Sequence, residues 1–136
     1  MSPDVLARKL ERLAGYLRDL SQHEGRSSED IRRDPYAVER LLELVVQVSV
    51  DIVAHLLAET GAAPSSYRDS FVEAGRRGLV PADLAQRLAA AASLRNILVH
   101  MYEQIDYDII ADSIGRAVHD FGHLRDVLAA RLKDEP

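Results

Sequence analysis

"LLELVVQVSVDIVAHLLA", residues 41–58, is the most apolar run in this chain, and its reading decides the fold. Its valines and isoleucine would suit a strand, but the run shows neither clean alternation nor a hairpin turn signal. A membrane span of this length would normally exclude Glu43, Gln47, Asp51 and His55. A helix that is apolar nearly all round in a soluble protein is a buried one, so the run is read as the central helix of a core. Gln47, Asp51 and His55 stand four residues apart and form one polar stripe along it. Buried polar groups require partners. Two readings of the stripe stay open: a satisfied network in the core or at a dimer contact, or one wall of a cleft facing the helix that begins at Pro81.

Helical spacing continues outward on both sides. Leu6, Leu10, Leu13, Leu17 and Leu20 recur every three or four residues, with Ser2 as a cap and Pro3 in the first turn. "SQHEGRSSEDIRR", residues 21–33, is a polar connector with room for one short helical turn. Asp34 and Pro35 read as a cap and a first helical position, and Gly61 as the terminator of a helix running to about Thr60. Ser65 or Ser66 opens a shorter helix closed by Gly78. Pro81 starts "PADLAQRLAAAASLRNILVHMY", residues 81–102. The last helix begins near Asp106 and lines up Ile110, Ile114, Ala117, Phe121, Leu124 and Leu128. The fold expected is all-α, a bundle of four long helices plus a short one, within a single domain over residues 1–136.

The chain has no cysteine, which removes disulfides and thiolate metal sites and fits a reducing cytoplasm. Charges throughout the N-terminal stretch leave no apolar signal core, so neither secretion nor membrane insertion is expected. A net charge of -5 argues against coating nucleic acid by bulk attraction but leaves room for a local basic cleft. All but two of the 17 basic residues are arginine, a bias that a GC-rich genome explains before any phosphate-binding role does.

Within the helix from Pro81, "SLRNILVHMY", residues 93–102, gathers Arg95, Asn96, His100 and Tyr102 on one apolar segment. Asn96 and His100 share a face, Arg95 and Tyr102 share another, and Arg95 and His100 diverge by about 140° on a regular helix. One helix does not aim both heads at one atom unaided; arginine's reach, loosening after His100, or a twofold copy of the chain could bring them together. The residue types suit phosphodiester cleavage. Histidine titrates near neutrality and can move a proton, while arginine can clamp a phosphate, and neither role needs a metal or cofactor. On spacing alone, a surface arginine beside a helix-terminal histidine is the simpler reading.

"RNILVHMY", residues 95–102, resembles the R-x4-H-x-Y signature of HepT-like toxins, a branch of the HEPN ribonucleases. "VDIVAHLLAETG" and the run from Ser66 to Asp106 are similar to that family in order and spacing, so the resemblance covers about Leu41 to Leu132. It implies a dimeric helical bundle with Arg and His of both protomers lining a shared cleft, and metal-independent endoribonuclease activity. It implies that Arg95 handles phosphate, His100 does acid–base chemistry and Asn96 orients the site. It also implies a partner, an MntA-type minimal nucleotidyltransferase antitoxin, which transfers AMP from ATP to the signature tyrosine, here Tyr102.

Other candidates carry less. His119 and His123 have metal-compatible spacing, but they share a stripe with Asp112, Arg116 and Asp126 opposite the apolar heptad, the mark of a solvated face. Arg76 and Arg77 read first as an ordinary charged loop and second as an RNA or partner contact. Two further functions compete with the ribonuclease: a non-catalytic HEPN subunit beside a nucleotidyltransferase, and a plain helical interaction protein. An adjacent nucleotidyltransferase gene separates the last from the others, and activity separates the first two.

Overall fold

The computed structural model describes the backbone of residues 1–100 and 105–134, and the side chains of residues 1–96 and 105–133. Among these residues there are six helices and no strand: α1 (Pro3–Ser21), α2 (Ser28–Arg33), α3 (Tyr36–Ala58), α4 (Tyr67–Arg76), α5 (Ala82–His100) and α6 (Tyr107–Asp134). The all-α expectation holds, with one refinement. The polar connector forms a second short helix, α2, which buries Ile31.

The ends follow local chemistry. Ser2, Ser27 and Ser66 cap α1, α2 and α4 by accepting hydrogen bonds from the N–H groups of Val5, Asp30 and Asp69. Asp106 caps α6, its carboxylate accepting from the Asp108 N–H at 2.9 Å. Asp34 does not cap α3: it terminates α2, and α3 begins from Pro35 with no side-chain cap. Gly61 (φ +87°) ends α3 by letting Ala62 N–H reach back to the Leu57 carbonyl and its own N–H to that of Ala58. Gly78 (φ +73°) repeats the device after α4.

α3 lies at the centre, in contact with α1, α4, α5 and α6. Its length and apolarity would suffice to cross a membrane, but here they fill a core. The five leucines of α1 and the heptad of α6 are all buried against it or against each other. Each leucine so removed from water contributes about 2 kcal/mol. Phe71 of α4 meets Phe121 of α6 edge to face, with ring centroids 6.0 Å apart.

One close approach fixes α5 against α4. A Cβ built on Gly75 of α4 would stand 2.6 Å from the Ala85 Cβ of α5. With a glycine facing an alanine, α4 and α5 pack backbone against backbone, and the next turns of α5 are drawn across the start of α4.

Candidate active site

α5 starts from the Pro81 carbonyl, which accepts the Ala85 N–H at 2.9 Å. Its buried face is Leu84, Ala85, Leu88, Ala89 and Ala92. Three small residues on that face hold α5 close to its neighbours, and Arg95 is brought over α3 and α4 one turn later.

The Arg95 side chain is only 16% exposed, with its guanidinium nitrogen 3.8 Å from a Glu43 oxygen of α3. The guanidinium carbon lies 4.8 Å over the ring centroid of Tyr67, the first residue of α4. A cation held over a ring in this way gains about 0.5–2 kcal/mol. The Glu43 contact is looser than a hydrogen bond, and that carboxylate is shared with Arg40 at 3.4 Å. Arginine carries five N–H donors. Among the described residues none of Arg95's donors is satisfied by a hydrogen bond, and its Nε is buried without one. Unmade hydrogen bonds on a charged group are costly. Arg95 is therefore held in place, with its donors unspent.

Two grooves flank this point. On one side, Leu42, Val45 and Val46 of α3 face Leu94 of α5 and Phe121 of α6 across an apolar groove of about 330 Å³, with Arg95 at its edge. On the other side, Gln47 and Asp51 of α3 face Arg12 and Tyr16 of α1, with Tyr67 closing a second groove of about 400 Å³.

Two further residues of the motif, Asn96 and His100, belong to α5. Asn96 is exposed next to Arg95. His100 is the last residue of α5, its side chain outside the described residues, and Tyr102 lies outside them altogether. The stripe of Gln47, Asp51 and His55 is exposed, so it is no buried network. Asp51 pairs with Lys9 of α1, and His55 stands 3.9 Å from Asp51. The stripe looks toward α1; the wall that α3 turns to α5 is Glu43 with Leu42, Val45 and Val46. Four packed neighbours bury most of α3 and leave one polar strip open.

His119, His123, Asp112, Arg116 and Asp126 are all exposed, as a solvated face requires. His119 pairs with Asp120 at 3.1 Å, and Asp120 binds Arg87 of α5 at 2.9 Å. That pair joins α5 to α6, and Asp120 beside it holds the Arg87 guanidinium above its ordinary pKa. Arg77 donates to the Thr60 carbonyl at 3.2 Å and to Glu73, tying α4 to the end of α3, while Arg76 pairs with Glu73. Among the described residues, no three His, Cys, Asp or Glu side chains gather closely enough to share a metal ion.

Spacing along the sequence does not single out Tyr67 or Glu43. Tyr67 reads there only as part of a short helix, and Glu43 only as a polar interruption in an apolar run. Both are brought to Arg95 by contacts between distant segments, which a linear spacing does not encode.

Comparison with known proteins agrees with this architecture. Residues 6–128 match the family model described as ribonuclease HepT-like. A tRNA nuclease HepT of Aphanizomenon flos-aquae is 30% identical over 125 residues, covering 89% of this chain and 85% of that protein. An mRNA nuclease HepT of Shewanella oneidensis is 30% identical over 90 residues, covering 65% of this chain and 68% of its own. Among solved structures, a tri-AMPylated Shewanella oneidensis HEPN toxin in complex with its MNT antitoxin superimposes with a TM-score of 0.84 at 26% identity. That match covers 96% of this chain and 99% of the other.

Proposed function

Because this chain belongs to the ribonuclease HepT-like family, we propose that it is the toxin of a toxin–antitoxin pair, an endoribonuclease that needs no metal. The observation that carries this reading is Arg95: a guanidinium fixed by Tyr67 and Glu43 whose donors are not engaged by the described residues. A phosphate is the ligand such a planar, charged fork fits best.

Chemically, Arg95 holds the scissile phosphate and offsets the charge that builds on its oxygens. His100 accepts the proton of the ribose 2′-hydroxyl as that oxygen attacks phosphorus, and an acid protonates the departing 5′-oxygen. The products are a 2′,3′-cyclic phosphate and a 5′-hydroxyl. Asn96, exposed beside Arg95, helps orient the bound strand. Arg95 and His100 diverge along one helix, so two chains form the working unit, each contributing to a cleft around the twofold axis. The protein acts in the cytoplasm as one domain. Its antitoxin is a nucleotidyltransferase of the MntA type, and the acceptor of AMP is Tyr102.

Inducible expression of the wild type beside His100→Ala tests the reading in cells. Wild-type expression arrests growth and fragments RNA, and the variant does neither. Equal growth and intact RNA with both chains overturn it. Purified Arg95→Ala mixed with purified His100→Ala tests the shared cleft, and an active species that is strictly monomeric by light scattering contradicts it.

A further inference from the structure

The groove on the α1 side of Arg95 has a chemistry that the cleavage step does not use. Tyr16 and Tyr67 bring two aromatic rings to it, Gln47 an amide and Arg12 a guanidinium. Among the described residues, no hydrogen bond or ion pair engages the Gln47 amide, the Arg12 guanidinium or either tyrosine hydroxyl. Gln47 and Arg12 are exposed, and both tyrosines are half-buried against the core. The one carboxylate in the groove, Asp51, is paired with Lys9.

This combination selects a class of ligand. A phosphate would meet a carboxylate on the groove wall and one arginine. A nucleobase meets rings to stack on, and an amide that donates and accepts on the same edge, as unpaired RNA bases require. A volume of about 400 Å³ accommodates one base with room for water. Arg12 remains to meet the charge of the same nucleotide. The position is equally specific, because Tyr67 belongs both to this groove and to the support of Arg95.

We propose that the groove between α1, α3 and the start of α4 is a base-binding subsite for unpaired RNA, seating a nucleotide next to the phosphate that Arg95 holds. The subsite rests on the ribonuclease reading, and Tyr67 couples the two. It gives the enzyme a preference for single-stranded over duplex RNA, since a paired base cannot enter.

Binding of short fluorescent oligonucleotides tests this, using 2′-O-methyl sugars that resist cleavage by 2′-hydroxyl attack. One probe is an oligoadenylate and the other the same strand without bases. The wild-type chain prefers the probe with bases by about tenfold, the scale of one lost stacking contact. Gln47→Ala, a change at an exposed position, and Tyr16→Leu reduce that preference and leave binding of the base-free strand unchanged. Circular dichroism confirms that both variants fold. Equal binding of both probes by the wild type, or an undiminished preference in both folded variants, overturns the subsite. Variants that keep the preference but lose affinity for the antitoxin overturn it in favour of a protein contact. Arg95→Ala separates the two claims: if it abolishes cleavage while the groove variants behave as wild type, the subsite fails and the ribonuclease stands. Failure of the wild type to bind or cleave any RNA overturns both.

Discussion

The guanidinium of Arg95 rests 4.8 Å over the ring of Tyr67, so a residue of α5 takes its aim from the first residue of α4. Tyr67→Phe preserves the ring and keeps RNA cleavage within a few-fold of wild type. Tyr67→Leu removes the π face and lowers cleavage by about tenfold, in line with the loss of a partly desolvated cation–π contact. The loss falls mainly on kcat, because a loosened arginine still meets phosphate but no longer fits the transition state. Leucine and phenylalanine variants of equal activity would contradict this coupling.

Gly75 makes a prediction whose sign differs from helix propensity. An exposed mid-helix Gly→Ala exchange stabilises by about 1 kcal/mol. Here the new methyl would stand 2.6 Å from the Ala85 Cβ, and α4 would have to move from α5. Gly75→Ala therefore lowers stability by about 1–3 kcal/mol, as overpacking does. Urea unfolding reads it directly. An unchanged or raised midpoint would show that the helices do not meet as closely as described.

Tyr107 sets an alkaline limit. Burial first, and then the adjacent Glu39 carboxylate, hold its hydroxyl above the usual tyrosine pKa of about 10. The hydroxyl donates to Glu39 at 3.4 Å. The folded chain therefore keeps this proton where the unfolded chain has released it. The associated stability is fully present below the unfolded value and is lost as pH rises through the folded one. Tyr107→Phe shows a shallower loss of stability above about pH 10. Identical alkaline profiles for the two chains would contradict the assignment.

Tyr102 is the proposed acceptor of AMP. Its oxygen attacks the α-phosphorus of ATP, pyrophosphate leaves, and the phenolic proton is released. Co-expression with the cognate antitoxin adds one or more AMP units to Tyr102, and the modified chain no longer cleaves RNA because negative charge now stands where phosphates must bind. Tyr102→Phe escapes modification and stays toxic beside the antitoxin. Peptide mass spectra without AMP on Tyr102, while the antitoxin still neutralises the toxin, would defeat this mechanism.

Periodicity carried most of the fold. The leucines of α1 and the apolar heptad of α6 are legible because each face repeats at helical intervals and is buried as a unit. Gly61 and Gly78 are legible because a left-handed residue at a helix end favours glycine. Asp34 misleads because its type suits a cap equally at the end of one element and the start of the next. The exposure of the stripe on α3 has a different origin. An apolar run predicts burial, but which strip remains open depends on where the four packed neighbours leave a gap, and Gln47, Asp51 and His55 lie in that gap. Arg95 is legible through its motif, whereas its supports, Glu43 and Tyr67, come from α3 and α4 and follow from tertiary packing alone.

RNA cleavage by the purified, unmodified protein in EDTA, compared with Arg95→Ala and His100→Ala, tests the proposed chemistry most directly. The wild type cleaves and leaves 2′,3′-cyclic phosphate ends, and each variant loses about a hundredfold or more. Cleavage at the wild-type rate by both variants, or activity of the wild type that EDTA abolishes, would contradict it.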